Sequence, residues 1–267
     1  SVCEQMQFGA IDFTRGSLAP LSEFSKSLNV LQLPYLYKDA DQMWKVLDGE
    51  IGAQFLDSMK EANLIGLSWF DSGARNFYTS KKQVSTMADL KDMKIRVQES
   101  QQMMDMIQAL GANPTPMAYG EVYSALQTGV IDGAENNELA ITSNKHGEVA
   151  KFYSYNMHQM IPDVLMVNLR FWQNLPDNER KVFEEAAKLS TEVELEAWEK
   201  EVEKAKKTAT EDMGVKFIDV DMAPFVEKMS ELHKNMLEKN PAIRDVYNHI
   251  QDINKKTLEE EAKGAEK

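Results

Sequence analysis

The chain has 267 residues, 43% hydrophobic and 27% charged, which fits a globular protein of one large or two smaller domains with a full core. Its net charge of −13, from 30 basic and 43 acidic residues, argues against nucleic acid or an anionic membrane surface as partner. The single cysteine, Cys3, excludes an intrachain disulfide and a thiolate metal site, and no apolar run of about 18 residues exists to form a membrane-spanning helix.

No signal-peptide pattern is visible, and Ser1-Val2-Cys3-Glu4 leads at once toward a strand over 8–14, so the chain is expected to begin inside a domain. A short helix is expected over 20–28, with Pro20 in its first turn, and an irregular or edge segment around Pro34. Apolar residues at helical spacing (Met43, Val46, Leu47, Ile51, Phe55, Met59) predict one helix over 39–62 capped by Asp39. Residues 64–70 read as a buried strand, 75–80 and 94–98 as two more, and 99–110 as a helix stopped by Gly111. A helix over 119–128 stops at Gly129, a strand and turn follow over 130–133, and a helix runs over 137–146. Residues 149–155 and 162–168 read as two strands around a loop carrying His158. The stretch 176–213 has no internal Gly or Pro and predicts a helix of about 50 Å or more at about 1.5 Å per residue, with Val182, Ala186, Leu189, Val193 and Val202 on its inner face. A helix that long outruns one compact domain, so it is expected to back two lobes. A strand over 215–220, a helix over 224–237, a peripheral polar helix over 242–262 and a solvated tail complete the chain. Alternating strands and helices without a repeat indicate an α/β protein.

Two arginines stand inside strand-like runs. Arg96 lies between Ile95 and Val97, and a guanidinium among core residues must meet an anion or line a cleft. Arg75 opens the preceding strand, where a surface role beside a carboxylate is equally open. Asn136 and Asn137 follow Asp132-Gly133-Ala134-Glu135; one carboxamide can face a ligand while the other caps a helix. Tyr35, Tyr78, Tyr119 and Trp69 are candidate pocket walls, core packing being the commoner fate of such rings, and Arg15 and Ser17 follow the first strand where a loop reaches a cleft. The four histidines are scattered, and there is no His-Glu-x-x-His, nucleophile elbow, dinucleotide fingerprint or phosphate loop, so no catalytic site, metal or cofactor is expected. Asp132 and Glu135 read as an acid pair in name only.

Three blocks carry a resemblance. Gly-Ala-Arg-Asn-Phe-Tyr-Thr-Ser at 73–80, Met-Ala-Asp-Leu-Lys-Asp-Met-Lys-Ile-Arg-Val-Gln at 87–98 and Gly-Ala-Asn-Pro-Thr-Pro-Met-Ala-Tyr-Gly-Glu-Val-Tyr at 111–123, continued by Asp-Gly-Ala-Glu-Asn at 132–136, closely resemble the DctP-type substrate-binding proteins of tripartite ATP-independent periplasmic (TRAP) transporters. The resemblance implies two α/β lobes joined by hinge strands and bridged by the long helix. It also implies closure on one small organic acid, delivery to membrane permease subunits, and a non-enzymatic role without membrane insertion, in the periplasm or, in a single-membrane bacterium, outside the cytoplasm on a membrane anchor. On this reading residues 1–80 and part of the C-terminal region form lobe I, 81–170 mainly lobe II, 176–213 the bridge and 214–267 a closing strand and helices, with a monomer expected. Arg96 matches the arginine that holds the ligand carboxylate; Arg75, Asn136 and Tyr119 match further site positions. The family pattern begins with a strand, a helix and a second strand ahead of Gly9-Ala10-Ile11-Asp12, and those residues are expected to be missing from this sequence. The local sequence around Arg15, Asp71–Tyr78 and Ala134–Glu138 is closest to members that take sugar acids, D-glucuronate or D-galacturonate; the hydroxyl contacts expected are Asn76, Gln98, Ser100, Asn136 and Asp163. A C4-dicarboxylate or 2-oxo acid is the alternative ligand, and a periplasmic enzyme acting on sugar acids the alternative class.

Overall fold

A computed structural model describes residues 2–265. Helix α1 (Val2–Gln7) precedes strand β1 (Phe13–Ser17), so the first strand starts later than the apolar pattern suggests: Phe8 is exposed and Gly9 turns the chain at φ +75°. The short α2 (Leu18–Leu21) is capped by Ser17, and a 3-10 stretch (Lys26–Gln32) follows. The single helix expected over 39–62 is two, α3 (Ala40–Leu47) and α4 (Glu50–Ser58). Asp39 caps the first as expected, accepting from Gln42 N at 3.0 Å. The second begins at Gly49 and folds so close that a Cβ on Gly52 would sit 1.8 Å from the Leu47 carbonyl oxygen.

Next come β2 (Leu64–Phe70), β3 (Ala74–Thr79), β4 (Lys94–Val97), α5 (Gln101–Ala109), β5 (Asn113–Pro116), α6 (Val122–Thr128) and β6 (Gly133–Asn136). After them come α7 (Leu139–Ser143), β7 (Phe152–Met160), β8 (Asp163–Asn168), α8 (Leu169–Asn174), α9 (Asp177–Glu211), β9 (Lys216–Asp219), α10 (Ala223–Lys239) and α11 (Arg244–Ala265). Two strand expectations shift. The strand placed at 130–133 is β6, so Asn136 lies within a strand and not after a turn. His158 is not in a loop but inside β7, fully buried.

The strands form two sheets, an antiparallel one ordered β1-β8-β2 and a mixed one ordered β5-β4-β6-β3-β7-β9. The chain changes sheet at Asp71–Gly73, at Ile161–Pro162, and a third time between β8 and β9 through α9. The sheet order groups β3 with the six-stranded sheet and β8 with the three-stranded one. One apolar core joins helices α1, α3, α4, α5 and α10 to the inner strands; a second lies under α6 and α7 around Tyr78, Leu126, Ile131 and Tyr153.

Helix α9 backs both lobes. Thr191 donates to the Trp69 carbonyl at 2.8 Å on the β2 side, while Ala209 packs in the second core. Between these points Trp198 closes on Gly73, whose φ is +61° and where an added Cβ would lie 3.0 Å from the indole. The buried face differs from the expected one. Ala187, Ala205 and Ala209 are buried, whereas Val182, Leu189 and Val193 are exposed and Ala186 stands with them outside. A helix laid across two sheets approaches through its smallest side chains, which hydrophobicity alone does not reveal. Helix α11 is also less peripheral than its polarity suggests: Ile250 and Thr257 are buried, and Asn254 donates to Leu36 O at 2.8 Å. Of the expected tail, Glu259, Glu260 and Lys263 are exposed and residues 266 and 267 lie outside the described residues.

Candidate functional site

Between the two sheets opens a cleft of about 840 Å³. Arg15, Ser17 and Asp163 reach it from the three-stranded sheet; Arg75, Arg96 and Asn136 reach it from the six-stranded sheet, with Gln98 and Tyr119 from the adjoining segments. Ser17 Oγ donates to Gln98 Oε1 at 3.2 Å, a direct hydrogen bond from one lobe to the other.

Arg75 is buried and already neutralised. Its Nε and Nη2 grip the Glu135 carboxylate (Nη2–Oε1 2.9 Å), Nη2 also donates to the Glu135 carbonyl, and Nη1 donates to Asn136 Oδ1 at 3.1 Å. Burial alone would raise Glu135, but Arg75, with His158 Nε2 at 3.4 Å, overrides it and holds the carboxyl at about 2. Burial lowers His158, against the pull of Glu135. The sequence hides the part Glu135 plays in the frame: an acid between Ala134 and Asn136 gives no sign that it meets an arginine of the neighbouring strand. It is not paired with Asp132, which accepts from Lys94 N at 2.8 Å.

Arg96 is different. It is 2% exposed, and its Nε and Nη2 donate to the Met117 carbonyl at 3.1 and 2.8 Å. Its Nη1 is buried and finds no hydrogen-bond partner among the described residues, nor does any carboxylate pair with it. A guanidinium taken out of water this way lacks an anion. The Tyr119 ring lies beneath it, 5.5 Å from centroid to Cζ, and Tyr119 OH donates to Asn144 Oδ1 at 2.8 Å. Behind that ring His146 is held at about 4 by burial and then by the Arg96 charge, so Tyr119 rests on a neutral imidazole.

On the other lobe Arg15 donates through Nε to Asp163 at 3.0 Å and through Nη2 to Glu194 of α9 at 2.9 Å and to Asp71 O at 2.8 Å, with its plane over Phe70. Glu194 also accepts from Asp71 N at 3.1 Å, which ties the long helix to the 71–73 crossing. Burial pushes the Asp163 carboxyl up, and Arg15 opposes the shift.

Two expected contacts lie away from the cleft lining. Ser100 is buried at the start of α5, accepting from Met103 N and donating to Gln32 Oε1 at 3.0 Å. Asn76 fills an irregularity in the β3–β7 pairing, where β7 carries extra residues. Its amide donates to Tyr153 Oη at 3.1 Å and Ala74 O, and accepts from Met157 N at 2.8 Å. Tyr35, Tyr78 and Trp69 likewise do not line the cleft. The two asparagines divide their work: Asn136 faces the cleft beside Arg75, and Asn137, also at its edge, accepts from Leu139 N at the start of α7 and donates to Ser72 O at 2.8 Å.

His146, His158 and Glu135 make the fold acid-sensitive, opposed in part by Asp163, Glu138 and Glu194, whose carboxyls burial raises. His146 and His158 stay neutral in the folded chain below their ordinary 6.5, so the unfolded chain binds more protons as pH falls. The stability they contribute is present above about pH 6.5 and is lost as pH falls through about 4 for His146, followed by the Glu135 share between its ordinary 4.5 and about 2. Calorimetry on the ligand-free protein should show a melting temperature that falls steadily from pH 7 to pH 4. A flat profile over that range would contradict these environments.

Comparison with known proteins adds the family. The family model DctP, bacterial extracellular solute-binding protein family 7, matches residues 1–240. A TRAP periplasmic solute-binding protein from Anaerococcus prevotii, solved with bound α/β-D-glucuronate, superposes with a TM-score of 0.92 at 42% identity, covering 96% of this chain and 83% of that one. A second, from a Bradyrhizobium species in complex with α/β-D-galacturonate, superposes at 0.90 with 40% identity, covering 94% and 83%. The C4-dicarboxylate-binding periplasmic protein DctP of Rhodobacter capsulatus is 31% identical over 240 residues, 88% of this chain and 72% of that protein.

Proposed function

The chain belongs to the DctP family of bacterial extracellular solute-binding proteins, and from that premise we propose that it captures a hexuronate, D-glucuronate or D-galacturonate, on Arg96 and delivers it to TRAP permease subunits. The family works outside the cytoplasm, and among the described residues no helix is long and apolar enough to cross a membrane. Its members and the superposed structures are binding proteins.

The observation that carries the reading is the buried Nη1 of Arg96, a donor without a partner among the described residues at the wall of the cleft. A carboxylate there forms a charge-assisted hydrogen bond and supplies the missing countercharge. Arg75 Nη1, Asn136, Gln98, Ser17 and Asp163 then stand around it with the donors and acceptors that a ring of hydroxyls requires. Binding draws the lobes together about the 71–73 and 161–162 crossings, with α9 flexing as their common support. The Rhodobacter relative favours a C4-dicarboxylate as second reading. Against it, two of the cleft arginines are already paired, Arg75 with Glu135 and Arg15 with Asp163 and Glu194.

A thermal-shift screen of small organic acids tests the reading. Ligand at about 100 times its dissociation constant stabilises by about 2.7 kcal/mol, a shift of several degrees. D-glucuronate or D-galacturonate should give the largest shift; a shift with succinate and none with either uronate would replace the uronate by the dicarboxylate.

A further inference from the structure

The charges facing the cleft are arranged in two unlike groups. On the six-stranded side stand two guanidiniums, Arg75 and Arg96; the buried Glu135 pairs with Arg75 alone, and Glu99, the carboxylate that lines this side, is exposed to solvent. On the three-stranded side one guanidinium, Arg15, is shared by two carboxylates, Asp163 and Glu194. The cleft is therefore positive at its Arg96 end and negative at its Asp163 end. These ends belong to different lobes, since Arg96 is in β4 and Asp163 opens β8 opposite Ser17. A ligand whose carboxylate lies on Arg96 turns its far end toward Asp163. Arg15 offers little to a second anion there. Its Nε and Nη2 are engaged and its plane lies on Phe70 at 4.6 Å, so Nη1 alone has no partner among the described residues, and the two carboxylates leave the group net negative. Asp163 lines the cleft and takes only one of the hydrogen bonds its two oxygens accept, so it has lone pairs to offer a hydroxyl and repulsion to offer a carboxylate.

We propose that Asp163 sets the specificity of the cleft for monocarboxylates, accepting hydroxyls at the end of the ligand remote from Arg96 and rejecting any ligand that carries a second carboxylate there. The inference rests on the uronate reading and sharpens it: an aldaric acid, with the hydroxyls of a uronate and a carboxylate at each end, is excluded by charge and not by size.

The test is calorimetric titration of the whole chain and its Asp163→Asn variant with D-glucuronate and D-glucarate. On the unmodified protein D-glucarate should bind at least about 30-fold more weakly than D-glucuronate, the scale of a like-charge opposition in a partly buried site. In Asp163→Asn that ratio should shrink by about tenfold or more, because Arg15 is released from one of its two carboxylates. The same two ligands are compared on both proteins, so the difference between a ring and an open chain cancels. Asp163→Glu, which keeps the charge, should keep the discrimination. Equal affinity of the unmodified protein for both ligands overturns the inference without any variant, as does an unchanged ratio in Asp163→Asn. If D-glucuronate itself does not bind, the uronate reading fails and takes the inference with it, an outcome distinct from binding without discrimination.

Discussion

Arg96→Ala should weaken D-glucuronate binding by two to three powers of ten, about 3–4 kcal/mol, the largest loss for any single residue of the cleft. The guanidinium is 2% exposed, two of its nitrogens are spent on the Met117 carbonyl, and the third has no partner among the described residues. In the complex that nitrogen gains a charge-assisted hydrogen bond, and the buried cation gains an anion. The ligand-free melting temperature should change little, because the truncation also removes a buried charge that no carboxylate balances. Arg96→Lys keeps the charge but not the planar fork, and should fall between the two. Titration calorimetry on the three proteins decides the matter; an alanine variant that binds within about threefold of the unmodified chain would remove Arg96 from the site.

The second large effect falls on stability. Glu135→Gln should cost about 3–5 kcal/mol in urea unfolding, since it strands the Arg75 guanidinium in the core without its countercharge. Arg75 and Glu135 are 2% and 0% exposed, and the pair joins β3 to β6. Replacing both partners with apolar residues, Arg75→Met with Glu135→Leu, should recover much of the loss, because no unpaired charge then remains. A Glu135→Gln variant within about 1 kcal/mol of the unmodified chain would mean that the pair is not the joint it appears from its geometry. Together the two variants should separate the arginines, with Arg75 showing its effect on stability and Arg96 on ligand binding.

The site was legible where chemistry and pattern conflicted. Arg96 stood out because an arginine between Ile95 and Val97 has no cheap resting place, and the structure gives it none. The long helix was legible from the absence of Gly and Pro over 177–213, and it spans both lobes. What the sequence concealed are relations between distant residues. For Arg75 the sequence leaves a carboxylate partner and a ligand equally open, and a glutamate sixty residues later takes up its charge. Asn76 and Ser100 have the right chemistry for a hydroxyl ligand, but a β7 irregularity and a helix start claim them first. The inner face of α9 was misread because hydrophobicity ranks Val and Leu above Ala, while close approach across two sheets ranks them the other way.

Calorimetric titration of the purified chain with D-glucuronate tests the central claim most directly. The account predicts saturable binding of one uronate per chain, lost in Arg96→Ala and not reproduced by succinate. Saturable binding of succinate with no heat from D-glucuronate or D-galacturonate would contradict it.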